Sequence, residues 1–213
     1  MRNLSPRSPK EALGLLAKRE TIEFSGVRQG VEIDLVTHDV LKFFVMLLKR
    51  NGYVLEQLYS PLVVHTTPEH QELKDIALGC VTRRHSHHYL GFARTQWELF
   101  QKDDPPRVKP LLYVYRVILT GIHLMRTGKV EANLLRLNDE AHLSYISELV
   151  ERKVRGPGKG SLDSKELDFH QAEYVRLVAA LERASAESQL PDEPSSRDAL
   201  NDLLVRIRLP RGS

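Results

Sequence analysis

A single cysteine, Cys80, excludes an internal disulfide framework and any zinc site built on several thiolates. The chain also lacks an apolar run of about 18 residues, the length a membrane-spanning helix requires. Its first residues, MRNLSPRSPKEALGLLAKRE, carry early positive charge but no continuous apolar segment and no small-residue cleavage site. The expectation is therefore neither secretion nor membrane spanning, and a reducing, cytoplasmic setting. A large excess of charge of one sign is lacking as well: the formal net charge is +3 with nine neutral histidines. A balance of that kind describes a mixed surface with no concentrated basic arm, so nucleic acid is permitted as a partner without being required. Neither an internal repeat nor a low-complexity segment occurs. What is present is 213 residues with 41% apolar side chains, enough to fill one core and support a small appendage.

The chain opens with two Ser-Pro steps, and KEALGLLAKR (10–19) can form a short helix after Pro9. TIEFSG (21–26) alternates weakly, GVRQG (26–30) has a glycine at each end like a tight connection, and VEIDLV (31–36) alternates clearly. In the last of these, Val31, Ile33 and Leu35 share one face and Glu32, Asp34 and Val36 the other, which predicts a hairpin. Thr37 or Asp39 can cap a following helix with Val40, Phe43, Phe44, Leu47 and Leu48 at helical spacing, and Asn51-Gly52 offers a stop. A second helical piece runs to Ser60-Pro61 with Val54, Leu55 and Leu58 inward. LVVHTT (62–67) reads as a short strand or extended loop, Glu69 to Lys102 as a helix pair, and DDPPRVK (103–109) as a loop. LLYVYRVILTGIHLMRTG (111–128) is apolar on most faces, as a central helix would be. One or two helices follow in 131–156, then a mobile GPGKGS (156–161). The amphipathic helix at 165–188 offers Leu167, Val175, Leu177, Val178 and Leu181 for packing, and RDALNDLLVRIRL forms the last helix.

Asp34 is the leading candidate for chemistry, because it lies near the end of a strand on the face opposite three aliphatics. Glu32 shares that face. Such carboxylates supply hard oxygen ligands to Mg²⁺ and can orient a phosphoryl-type displacement, although a solvated strand face has the same pattern. Glu56, between apolar residues, reads either as a supporting carboxylate or as the partner of a Lys or Arg. In RRHSHHYLGFARTQW (83–97), His85 and His88 share a helical face, but no Asp, Cys or His-x-x-Glu-His pattern completes a zinc set. Arg83, Arg84 and Arg94 can form an anion-binding surface or an ordinary solvated one. Cys80 reads as a small buried hydrophobe. Tyr113 and Arg116 are one helical turn apart, with Lys109 approaching from the preceding loop. That triplet can hold a polyphosphate with a point charge and a bidentate guanidinium; its structural alternative pairs Arg116 with a carboxylate.

Several of these segments carry a resemblance. VEIDLVTHDVLKFFVMLLKRNGYVLEQLYSP (31–61), HHYLGFA (87–93) and KPLLYVYRVILTGIHLMRTG (109–128) resemble the RNA-repair-associated group of DNA polymerase beta-superfamily nucleotidyltransferases over about residues 28–150. The resemblance implies an α+β, mostly helical fold: a small truncated nucleotidyltransferase-like sheet with a larger C-terminal helical portion. The chain is read as a partial nucleotidyltransferase-like α/β region (1–65), a helical region (66–155) and a mobile linker with a C-terminal helical appendage (156–213). It implies Mg²⁺ and a nucleoside triphosphate as cofactors, with transfer of a nucleotide to the hydroxyl of RNA or another acceptor. Asp34 matches the third acidic residue, which activates or orients that hydroxyl, with Glu32 beside it at the metal. Lys109, Tyr113 and Arg116 match the region near the triphosphate. The family's Gly-Ser turn and following Asp-x-Asp pair are not found before Val31, so a lone third carboxylate leaves two-metal catalysis short of ligands. The reading is a divergent or incomplete nucleotidyltransferase. Its alternatives are a non-catalytic nucleotide- or nucleic-acid-binding regulatory module and a dimeric scaffold that covers an exposed sheet face; no membrane partner is expected.

Overall fold

The computed structural model describes residues 20–156 and 162–209. The expected helix at 10–19 and most of the expected mobile segment at 156–161 lie outside the described residues. The hairpin forms as the alternation requires: β1 (Thr21–Arg28) pairs antiparallel with β2 (Val31–His38). Its turn is Gln29-Gly30, with φ of 53° and 77°, the left-handed pair whose twist matches that of the flanking strands. The expected five-residue connection is thereby corrected, since Gly26 sits inside β1 opposite Ile33. Register places Ile22 and Phe24 with Val31, Ile33 and Leu35 on one face, and Glu23, Ser25, Val27, Glu32, Asp34 and Val36 on the other. Two strands alone bury little, and Phe24, Val31 and Leu35 remain exposed. The hairpin is held at its base, where Lys42 donates to the Thr21 hydroxyl and the Asp39 N–H donates to the Glu20 carbonyl at 2.8 Å.

Asp39 caps α1 (Val40–Leu48), accepting from the Leu41 N–H at 3.1 Å, and Phe44 and Leu47 bury the inner face. The expected stop at Asn51-Gly52 is rearranged. Arg50 takes the left-handed conformation (φ 61°), and Asn51 instead caps α2 (Gly52–Leu58) through the Tyr53 N–H. Gly52 is needed for room: a Cβ there would lie 2.7 Å from His88 and 2.8 Å from Tyr89. Residues 62–67 form no strand. After α3 (Pro68–Ala77) and the 3-10 turn Leu78–Cys80 comes α4 (His85–Lys102). The central helix, α5 (Val108–Thr127), begins two residues earlier than the expected loop allows, so Lys109 lies on its first turn. α6 (Leu134–Ala141) and α7 (Ser144–Val154) follow. α8 (Ser164–Glu187) starts on a capping box between Asp163 and Glu166, and α9 (Arg197–Arg208) closes the described chain.

α5 packs against α4, α6, α7 and α8 and is buried on nearly every side. Its length and composition would let it cross a bilayer, but most of that stretch is buried inside the protein. One hydrophobic core runs from Phe44 to Leu203 and includes Tyr89, Phe100, Ile118, Leu124 and Leu181. Of the residues expected to pack from α8, Leu177 and Leu181 do so, whereas Val175 faces solvent. α9 lies against α1 and α3. Arg208 donates to Asp39 at 2.9 Å, Arg206 pairs with Glu72, and the Ser196 hydroxyl donates to the Ile76 carbonyl at 2.6 Å.

A close approach to a neighbour that cannot swing away occurs at Gly121, where a Cβ would lie 2.8 Å from the Tyr89 Cβ and 3.0 Å from Leu181. Helix propensity favours alanine over glycine by about 1 kcal/mol. Overpacking against a neighbour that cannot swing away costs about 1–3 kcal/mol. Gly121→Ala is therefore expected to lower stability in urea unfolding by up to about 2 kcal/mol; a gain would show that α4 and α8 do not meet α5 so closely.

Candidate functional site

The hairpin carries the acidic candidates. Asp34 lies directly opposite Ser25, whose hydroxyl donates to its carboxylate at 2.9 Å, and Glu32 lies opposite Val27. Both carboxylates are exposed. Register adds Glu23 to the same face, which the weak alternation of β1 does not reveal. Paired oxygens at i and i+2 on a strand suit a hard cation, but Mg²⁺ takes six ligands in near-octahedral order. Among the described residues no group of three or more His, Cys, Asp or Glu side chains is placed to hold a metal ion. The residues described thus supply part of a magnesium shell.

The second centre forms where α2, α4 and α5 meet. Arg116 leaves α5 on the side that faces α2 and donates to the Glu56 carboxylate at 2.5 Å, with both side chains largely buried. Its guanidinium lies over the Tyr113 ring, 4.6 Å from the centroid. Tyr113 meets Phe92 edge-on at 5.8 Å, and Phe92 meets His88 at 5.8 Å. Burial opposes the charge of Arg116, but Glu56, helped by Tyr113, outweighs it and holds its pKa above the ordinary range. Tyr89 turns its buried hydroxyl toward Glu56; burial first and that carboxylate second push its pKa well above the usual phenol range. His88 is pushed down by burial, with Glu56 pulling the other way. The result is an internally neutralised ion pair, largely buried and lined by aromatic faces.

Tyr113 and Arg116 lie together on one side of α5, and the Arg116 head is paired with a carboxylate, as the structural alternative expects. Lys109 continues the same face of α5 one turn earlier, exposed to solvent. Both halves of the Glu56–Arg116 pair stand out in the sequence as charges among apolar neighbours, but their partnership across 60 residues needs the packing of α2 on α4 and α5. His85 is fully buried, with Nδ1 3.1–3.2 Å from the hydroxyl, N–H and carbonyl of Thr82 and no partner for Nε2. Cys80 is buried too, which pushes its thiol up to about 11 and leaves it inert at neutral pH. Arg83 and Arg84 pair with Asp192 and Glu193, while Arg94 is exposed further along α4.

Breaking a fully buried ion pair by removing one partner costs about 3–5 kcal/mol. Glu56 and Arg116 keep some exposure, so Glu56→Gln is expected to cost about 2 kcal/mol, with most of it regained when Arg116→Met is added. Strictly additive losses in that cycle would show that the two do not act as a pair. His85 gives a second expectation. Burial pushes its pKa down to about 4 from an ordinary 6.5, the charges of His88 and Arg50 adding to the effect and the Thr82 hydrogen bond opposing it. From pH 6.5 down to about 4 the unfolded chain gains a proton that the folded chain refuses. This group should therefore withdraw up to about 3 kcal/mol of stability as pH falls through that window. An NMR titration of the His85 ring should find its midpoint near pH 4; a midpoint at its ordinary value would contradict the burial argument.

The chain is similar to known proteins over most of its length. The family described as RlaP, RNA repair pathway DNA polymerase beta family, matches residues 3–206. A protein of Methanocaldococcus jannaschii, named uncharacterized protein MJ0002, is 29% identical over 164 residues, covering 76% of this chain. The match spans 66% of that relative's length, just under two thirds. No solved structure matches.

Proposed function

We propose, from the premise that the chain belongs to the RNA repair pathway DNA polymerase beta family, that it is a divergent nucleotidyltransferase moving a nucleotide from a nucleoside triphosphate to a hydroxyl of RNA. The observation that carries the reading is the family match across almost the whole chain. In such a transfer the acceptor oxygen forms a bond to the α-phosphorus, the bond to pyrophosphate breaks, and the hydroxyl proton passes to a base. Asp34, exposed and held by Ser25, is assigned the orientation of that hydroxyl and the receipt of its proton. Arg116, pinned by Glu56 and backed by Tyr113, is assigned the triphosphate charge, with Lys109 adding a point charge along the same helix face. When bound, Mg²⁺ would neutralise phosphate charge beside Glu32 and Asp34.

One observation favours a second reading. The sequence before Val31 has no Gly-Ser turn followed by Asp-x-Asp, so the chain can serve as a nucleotide-binding module in which the Arg116 centre binds and the hairpin does not catalyse. Pyrophosphate release with Mg²⁺, nucleoside triphosphates and an RNA acceptor separates the two. Asp34→Asn is expected to reduce release by about a hundredfold or more while triphosphate binding is kept. Full activity in that variant would remove Asp34 from the reaction, and binding without release by the unaltered chain would favour the non-catalytic module.

A further inference from the structure

Beside the Arg116 centre, and sharing His88 with it, lies a cleft of about 660 Å³ between the α1–α2 turn and the start of α4. Its lining includes Lys49, Arg50, Arg84, His87 and His88, and no carboxylate. That volume is within the range of small-molecule sites, and the chemistry of its walls is that of a phosphate receptor. A further observation points to an anion. The Arg50 Nε is buried and finds no partner, although Arg50 holds a left-handed backbone conformation at the cleft's edge.

A carboxylate does reach the rim, from far along the chain. Glu193, in the connector between α8 and α9, bridges Arg50 and Arg84, while its neighbour Asp192 takes Arg83 in a two-pronged grip. Glu193 is itself mostly exposed. An exposed carboxylate held by two guanidiniums is weakly bound and easily exchanged for a more highly charged anion. His88, on the cleft wall, leads by way of Phe92 to Tyr113 and Arg116, so charged groups and ring faces alternate from the cleft toward the Arg116 centre. Alternating phosphate-binding cations and stacking faces are the means by which single strands are held, whereas a lone mononucleotide needs only one of each.

We propose that this cleft binds the phosphates of a single-stranded RNA, and that Glu193 occupies the arginines as an internal substitute which the strand displaces. The inference rests on the transferase reading for its choice of RNA; the cation cluster and its carboxylate stand without it. It gives the acceptor strand a place to bind, on the side of His88 away from Arg116.

The test is fluorescence anisotropy with a labelled oligoribonucleotide of about ten nucleotides and the full chain, without nucleoside triphosphate or metal. Thermal unfolding of each variant serves as the folding control. The strand should bind, and the double variant Lys49→Gln with Arg84→Gln, both exposed positions, should weaken it about tenfold while lowering the salt slope by about 1–1.4. Glu193→Gln should tighten binding several-fold, and Arg94→Gln, on another part of α4, should change nothing. The proposal is overturned by failure of the strand to bind, by equal losses from the cleft and Arg94 variants, or by a Glu193 variant that binds no more tightly. Because neither triphosphate nor metal is present, failure of the transfer reaction leaves the outcome untouched.

Discussion

The structure depends on how one charge is accommodated on its most buried helix. α5 is enclosed by four other helices, and Arg116 is a full charge projecting from it into a partly dehydrated space. A cation placed there without a partner would cost more than the surrounding contacts return. Glu56 meets it from α2, Tyr113 supplies a ring beneath it, and Tyr89 and His88 close the remaining sides. Gly52 is required so that α2 can come close enough to deliver Glu56, since a side chain at that position would strike the same His88 and Tyr89. The position of α2, the aromatic wall of α4 and the exposed face of α5 are consequences of the same pairing. Packing that satisfies a buried charge also fixes its direction, and a fixed guanidinium is what a phosphate receptor needs.

The two halves of the molecule differ in how firmly they are held. The helical part is a continuous core, tied at its far end by α9 to α1 and α3 through Arg208, Arg206 and Ser196. The hairpin projects from it, anchored at Thr21, Lys42 and Asp39, with apolar residues on one face and carboxylates on the other. The carboxylates are therefore carried on the less enclosed element, while Arg116 and its aromatic neighbours are carried on the rigid one. Opening the hairpin's free end costs little apolar burial, so adjustment on binding falls there first.

Much of this arrangement was legible in the sequence, and the parts that were not share a physical reason. The period-two alternation of Val31–Val36, the cap at Asp39, the prolines at 105 and 106 and Gly128 after α5 are local signals, and each marks an element that forms. Errors arose where local rules compete. Asn51-Gly52 looks like a helix stop, but Asn51 serves better as the next cap and leaves the left-handed residue at Arg50. Lys109 looks like part of a proline-rich loop, but the helix begins as soon as Pro106 is past. Long-range pairs were invisible in principle. Glu56 and Arg116 are 60 residues apart, Arg84 and Glu193 are 109 apart, and only packing brings them together. The sequence shows that such charges need partners; the partner's identity is a property of the fold.

The central claim is that the Arg116 centre receives a triphosphate. It is tested most directly by following the guanidinium resonances of ¹⁵N-labelled arginine in the full chain while a nucleoside triphosphate is added with Mg²⁺. The account predicts a saturable shift of the Arg116 signal, identified by its loss in Arg116→Lys, with the fold intact throughout. An Arg116 signal that stays in place while triphosphate binds elsewhere, or a folded chain that binds none, would contradict it and leave the Glu56–Arg116 pair as a structural feature alone.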